Sequence, residues 1–84
     1  MNNVIMRAVT VTSSYRPLVS GQLIATAVVS CPPANAAPVF FKGDDGSDVP
    51  WVPGEWHQFK GVDLAGILVK GTDGDTVTVV GGSW

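Results

Sequence analysis

The sequence contains little with which to do chemistry. Its 84 residues include one cysteine, Cys31, and one histidine, His57. A single cysteine excludes an intrachain disulfide, and a lone free cysteine reads first as a small buried apolar residue. A structural zinc site draws four ligands, mostly from Cys and His, so neither residue points to a metal. A nucleophilic residue needs a base held beside it. His57 stands between Trp56 and Gln58 with no nucleophile motif around it. The expectation is a chain that is not an enzyme and carries no cofactor.

Charge is also scarce. Only 14% of residues are charged, and the net charge is −2. The five cations, Arg7, Arg16, Lys42, Lys60 and Lys70, are scattered along the chain. Nucleic-acid binders cluster their cations to neutralise phosphates, so no nucleic-acid partner is expected. No run approaches the roughly 18 apolar residues of a membrane span. The start, Met1-Asn2-Asn3-Val4, lacks the charged head and long apolar run of a signal peptide, so synthesis in the cytoplasm is expected. Acidic residues crowd two places: Asp44, Asp45 and Asp48 in one loop, Asp73 and Asp75 in another. Neither has the spacing of a calcium-binding EF-hand loop, and both read as solvated turns.

What the chain has in quantity is apolar residues, β-formers and turn formers. Hydrophobic residues make up 45%, alongside ten glycines and six prolines. The mean hydropathy is +0.27. A chain of this length is one domain, and it buries only roughly 60–65% of the surface it exposes when unfolded. Such domains often rely on a disulfide, a metal or other chains for stability. With no disulfide available and no metal motif beyond the option of calcium held by turn aspartates at a subunit junction, a homo-oligomer or docked subunit is the natural expectation.

The apolar residues follow a period of two. Residues 4–12 alternate, with Ile5, Val9 and Val11 on the greasier face. Residues 22–31 place Leu23, Ala25, Ala27, Val29 and Cys31 on one face, and Pro32-Pro33 stops the run. Short strands are expected at residues 39–42, 49–52, 56–60, 67–70 and 76–80. Residues 62–65 form a corner or one helical turn. Pro53-Gly54 is a strong turn pair, and Asp73-Gly74 signals a hairpin. The fold class is therefore all-β, a small antiparallel sandwich or barrel of about six or seven short strands. Residues 1–84 form a single domain, in which 1–16 are available as an extended or exchanged strand.

The aromatics bear on function. Trp51 and Trp56 flank the Pro53-Gly54 turn and are expected to meet across it, with Phe59 and Trp84 in the same half of the chain. Aromatics build cores and subunit interfaces, and exposed tryptophans can stack on sugars. The candidate interface residues are Ile5, Val9, Val11, Trp51, Trp56, Phe59 and Trp84. The alternative is a carbohydrate- or receptor-binding module that uses exposed tryptophans.

Residues 34–80 resemble a family of small β-rich virion proteins of tailed bacteriophages. The similar pieces occur in order: Asn35-Ala36-Ala37, Val39-Phe40-Phe41-Lys42-Gly43, Val52-Pro53-Gly54-Glu55 and Val62-Asp63-Leu64. They end with Ile67-Leu68-Val69-Lys70-Gly71 and Gly74-Asp75-Thr76-Val77. The resemblance implies a capsid decoration (cement) protein or a related head or tail accessory subunit, located in the virion. Its partners would be other copies of itself and the major capsid protein or another virion protein. Local three-fold points are common docking sites on icosahedral shells, which implies a trimer. The residues that carry the resemblance include no catalytic or ligand-binding group.

Overall fold

Threonine and valine alternate at Thr76-Val77-Thr78-Val79, and the structure turns this alternation into a face. In the computed structural model, which describes residues 3–83, Val77 and Val79 are fully buried while Thr76 and Thr78 are only half-buried. β-branched side chains fit such a pleated, half-buried surface. The same logic runs through Ala25, Ala27 and Val29.

Among the described residues there are eight strands: β1 (Asn3–Thr10), β2 (Arg16–Pro17), β3 (Ile24–Ser30), β4 (Val39–Lys42), β5 (Val49–Trp51), β6 (Trp56–Asp63), β7 (Leu68–Lys70) and β8 (Thr76–Ser83). They form two antiparallel four-stranded sheets, in the orders β1-β8-β3-β6 and β2-β7-β4-β5. The all-β class and sandwich-like layering agree with the sequence pattern. The strand not anticipated is β2, two residues long, where Pro17 limits further pairing. The first sheet is long, with one bulge between β3 and β6, and the second is short. Strands of the long sheet run seven or eight residues, against two to four in the other.

Written side by side, each strand of the long sheet shares its place with a sequence neighbour in the short one: β1 with β2, β8 with β7, β3 with β4, β6 with β5. The chain thus changes sheet at every connection except β4 to β5. This corrects the hairpin expected at Asp73-Gly74, because β7 and β8 lie in different sheets. A type I′ hairpin turn needs positive φ at both central residues. Here Gly74 has φ +95°, while no described residue other than glycine is positive. Asp75 N–H still donates to Thr72 C=O at 3.0 Å, so the turn closes but redirects the chain between layers.

The expected corner at residues 62–65 is a short 3-10 helix, Leu64–Gly66. Asp63 caps it by accepting from Ala65 N–H at 3.0 Å, and its carboxylate also accepts from Leu23 N–H at 3.1 Å. Leu64 itself is fully buried. The core between the sheets is mostly valine and alanine, with Ile5, Leu18, Leu64, Phe41 and Trp51 as its bulky members. The accessible surface is 4959 Å², close to the roughly 4,800 Å² that scaling predicts for a compact monomer of this mass. The exposed apolar groups therefore belong to a well-folded unit.

Two glycines have conformational reasons. Between Ala25 and Ala27 the pairing of β3 with β6 shifts register, and Gly61 at φ +61° absorbs the extra residue of this bulge. Gly81 is required by close approach. A Cβ there would meet Thr26 C=O and lie 2.5 Å from Ala27 Cα.

Candidate functional site

Exposed apolar side chains are unevenly distributed. The large ones among the described residues are Val4, Met6, Ile24, Val49, Val52, Trp56 and Val80. The pleat places Val4, Met6, Ile24, Trp56 and Val80 on the outer face of the long sheet, opposite the core-facing Ile5, Ala25, His57 and Val79. The register aligns them in rows. One row across the four strands reads Met6, Val80, Val28, Gln58. The next reads Ala8, Thr78, Ser30, Trp56, where Ser30 and Thr78 hydroxyls hydrogen-bond to each other. The charged residues on this face are Lys60, beside the bulge, and Asp63, opposite Ile24, both on the edge strand β6. Met6 is 74% exposed and Val4 73%.

The outer face of the short sheet is built differently. Tyr15 donates to Asp48 at 2.5 Å. Lys42 Nζ lies 4.4 Å and Lys70 Nζ 4.9 Å from the Tyr15 ring centroid. Lys70 also sits 5.8 Å from the Phe40 ring, and Lys42 pairs with Asp48 at 3.7 Å. Partial burial and the bond to Asp48 push the Tyr15 phenol up to about 12. The same bond holds Asp48 below the usual carboxylate range. Two cations separated in sequence are thus neighbours in space, but Asp48 and two aromatic rings already occupy them.

The sequence-predicted site residues divide between core and surface. Ile5, Val11 and Trp51 are 1%, 2% and 5% exposed and belong to the chain's own core. Val9 and Phe59 pack partly buried against that core. Ile5, Val11 and Trp51 thus spend their apolar surface within the fold and are not free to line an interface, while Val9 and Phe59 keep part of theirs exposed. Trp56 is 61% exposed and remains available. Trp84 lies outside the described residues. The two tryptophans flanking the turn do not meet. Trp51 ends β5 facing inward, whereas Trp56 starts β6 facing outward. It is His57, next in the pleat, that meets the Trp51 ring edge-on at 4.7 Å. Burial of Trp51 also removes the two-ring platform that sugar stacking would have used. The missed residues are Val4, Met6, Val28 and Val80. For Val4 and Met6 the signal was the second apolar set in the first strand, opposite its greasier face; Val28 and Val80 likewise lie opposite the core-facing residues of β3 and β8.

No arrangement of general acid, base and nucleophile emerges around the titratable groups. His57 Nε2 and Glu55 Oε2 are 2.6 Å apart, and this bond holds Glu55 below the ordinary glutamate range. Glu55 also accepts from Val52 N–H at 3.1 Å, closing the Pro53-Gly54 turn. Cys31 is fully buried, with Asn35 Nδ2 donating to its sulfur at 3.2 Å. Asn35 is itself structural: it donates to Thr76 C=O at 2.7 Å and accepts from Thr76 N–H at 3.0 Å. The turn acids are used locally. Asp45 accepts from Ser47 N–H, which lowers its pKa, while Asp73 accepts from Ser13 N–H and Asp75 from Ala36 N–H. Among the described residues no three His, Cys, Asp or Glu side chains converge as a metal would require.

An apolar recess beside the core opens between the sheets, walled by Phe41, Trp51, Phe59, Val49 and Ile67. Its volume is about 190 Å³, below the roughly 300–1,000 Å³ of ordinary small-molecule sites. Phe41 and Trp51 stack there at 3.8 Å between centroids. The outer face of the long sheet is accordingly the candidate functional site. No family model matches the chain, and no curated protein or solved structure does either. No helix among the described residues is long and apolar enough to cross a membrane.

Proposed function

We propose that this protein is a non-catalytic assembly subunit that docks through the outer face of its long sheet. The observation that carries the reading is the row Met6, Val80, Val28, continued by Val4 and Trp56, on a long sheet whose outer face bears only Lys60 and Asp63 as charges, both on the edge strand β6. Monomeric proteins rarely leave a patch larger than a few hundred Å² uncovered unless something binds it. Three strand spacings plus side-chain margins, by eight residues of strand, give a face of about 500 Å².

The resemblance to small virion proteins of tailed bacteriophages supplies the particular role. The protein would be a capsid decoration or cement subunit, lying across joints between capsid subunits. A protein that binds the assembled shell and not its separated parts stabilises the shell by mass action. A flat apolar face with few charges suits such a joint, since it demands no desolvation of ion pairs.

Pelleting with expanded bacteriophage heads tests the reading. Wild-type protein is expected to sediment with heads. Val80→Lys and Trp56→Lys should abolish this while leaving the circular dichroism spectrum and melting temperature nearly unchanged. Equal binding by wild type and both variants would refute the face. A fluorescence response of Trp56 to a glycan panel, without head binding, would favour the receptor-binding alternative.

A further inference from the structure

The two sheets have four edges, and three of them are blocked. β2 is two residues long and contains Pro17. β5 is three residues long with Pro50 at its centre. β6 is bulged at Gly61, which adopts a positive φ. Prolines, bulges and short strands are the devices by which proteins keep sheet edges from pairing. The fourth edge, β1, has none of these three, and its one charge is Arg7 at mid-strand. It is eight residues long, contains no proline or glycine, and pairs with β8 without a register shift from Asn3 to Thr10. Its other side bears a regular row of backbone donors and acceptors on alternate residues.

We propose that β1 pairs antiparallel with β1 of a second copy, joining two long sheets into one of eight strands. The proposal rests on the assembly reading and names the first partner. Its register follows from symmetry and charge. Residues opposite each other in an antiparallel pair share a face, so a two-fold axis must pass through one residue and its mate. Two axis positions give the greatest overlap of the strand, at Met6 and at Arg7. An axis at Arg7 sets two guanidinium groups directly opposite each other, which is unfavourable. An axis at Met6 sets Met6 on Met6, Val4 on Ala8 and the exposed Arg7 opposite Ile5.

The Met6 register also solves a problem of size. A single face of about 500 Å² falls short of the roughly 800 Å² per partner in a standard interface. The two-fold is perpendicular to the sheet, so both outer faces point the same way. The apolar row then runs Val28, Val80, Met6 and on through the mate's own three. The joined face reaches about 1,000 Å², enough for stable docking.

Mass and crosslinking of the purified protein alone test this, so a failure to bind heads leaves the result standing. Sedimentation should give twice the 8.8 kDa chain mass. Opposed Cα atoms in antiparallel pairs lie about 4.5–5.5 Å apart, within disulfide range. Met6→Cys should therefore give a covalent dimer under mild oxidation. Val80→Cys, one strand further in, should not. Wild type, with Cys31 buried, is the control. Met6→Lys should weaken dimerisation by about tenfold or more. A monomer at high concentration, a trimer, or crosslinking by Val80→Cys in place of Met6→Cys would each overturn the proposal. The last outcome would mean that the sheets stack face to face.

Discussion

The two outer faces of this small sandwich use opposite chemistry. On the short sheet, Tyr15, Lys42, Lys70 and Asp48 satisfy one another through a hydrogen bond, an ion pair and two ring contacts. On the long sheet, Val4, Met6, Val80 and Trp56 stand exposed with no such partners across the face. The first surface is complete as it stands. The second leaves apolar area in water, at a cost of about 25 cal/mol for each Å² that a partner could cover. The contrast shows that exposed apolar groups in a chain this hydrophobic are not spread evenly. Most of them are gathered on the sheet with the longest strands, while the short sheet carries the Tyr15, Lys42, Lys70 and Asp48 cluster.

The strongest way to break the comparison is to break the long sheet itself. Gly81→Ala pushes a methyl group into the backbone of β3. Backbone cannot move aside like a side chain, so the change should cost about 3 kcal/mol, the upper end of ordinary overpacking. A melting temperature lowered by more than about 10 °C would be the readout. Asn35→Ala comes next. It strands the N–H and C=O of Thr76 where β8 enters the sheet, and chemical denaturation should show a loss of about 1–3 kcal/mol.

Exchanging character between the faces sharpens the comparison without unfolding the protein. Val80→Lys should change stability by less than about 0.5 kcal/mol yet remove head binding. Pro50→Lys, on the outer side of the short sheet, should leave binding intact. Equal effects of the two on pelleting would erase the functional difference between the faces.

The smallest effects are those of pH on the polar face. The Tyr15 phenol should ionise near pH 12, read by ultraviolet difference absorbance with Tyr15→Phe as the blank. Its folded pKa exceeds the ordinary value of 10. The associated stability is therefore full below pH 10 and lost as pH rises towards 12. Asp48 has the reverse sign: depressed when folded, it contributes above the ordinary carboxylate range and loses that contribution as pH falls below it. A step moved down from about 12 towards the ordinary value in Asp48→Asn would confirm the coupling, with burial holding the rest of the shift.

Much of this was legible in the residues. Alternation at residues 4–12, 22–31 and 76–80, with Pro and Gly between, gave the strands and the all-β class. Burial of Ile5 and Val11 follows from the same pattern, because the greasier side of a strand turns inward. That rule also explains the misplaced interface. The residues most apolar in sequence were claimed first by the core, leaving Val4, Met6 and Val80 for the surface. The Trp51 and Trp56 pairing failed because Pro53-Gly54 crosses between layers, which local turn chemistry does not reveal.

By itself, then, the sequence determined the strands other than β2, where the chain turns, the absence of an intrachain disulfide and the scarcity of charge, since these depend on each residue and its near neighbours. Tertiary structure decided which sheet each strand joins, that β1 lies on an edge free of proline and bulge, and that Met6, Val80 and Val28 form one row. Those are relations between residues as far apart as Asn3 and Ser83, set by how strands pack and pair across the sandwich rather than by anything within a strand.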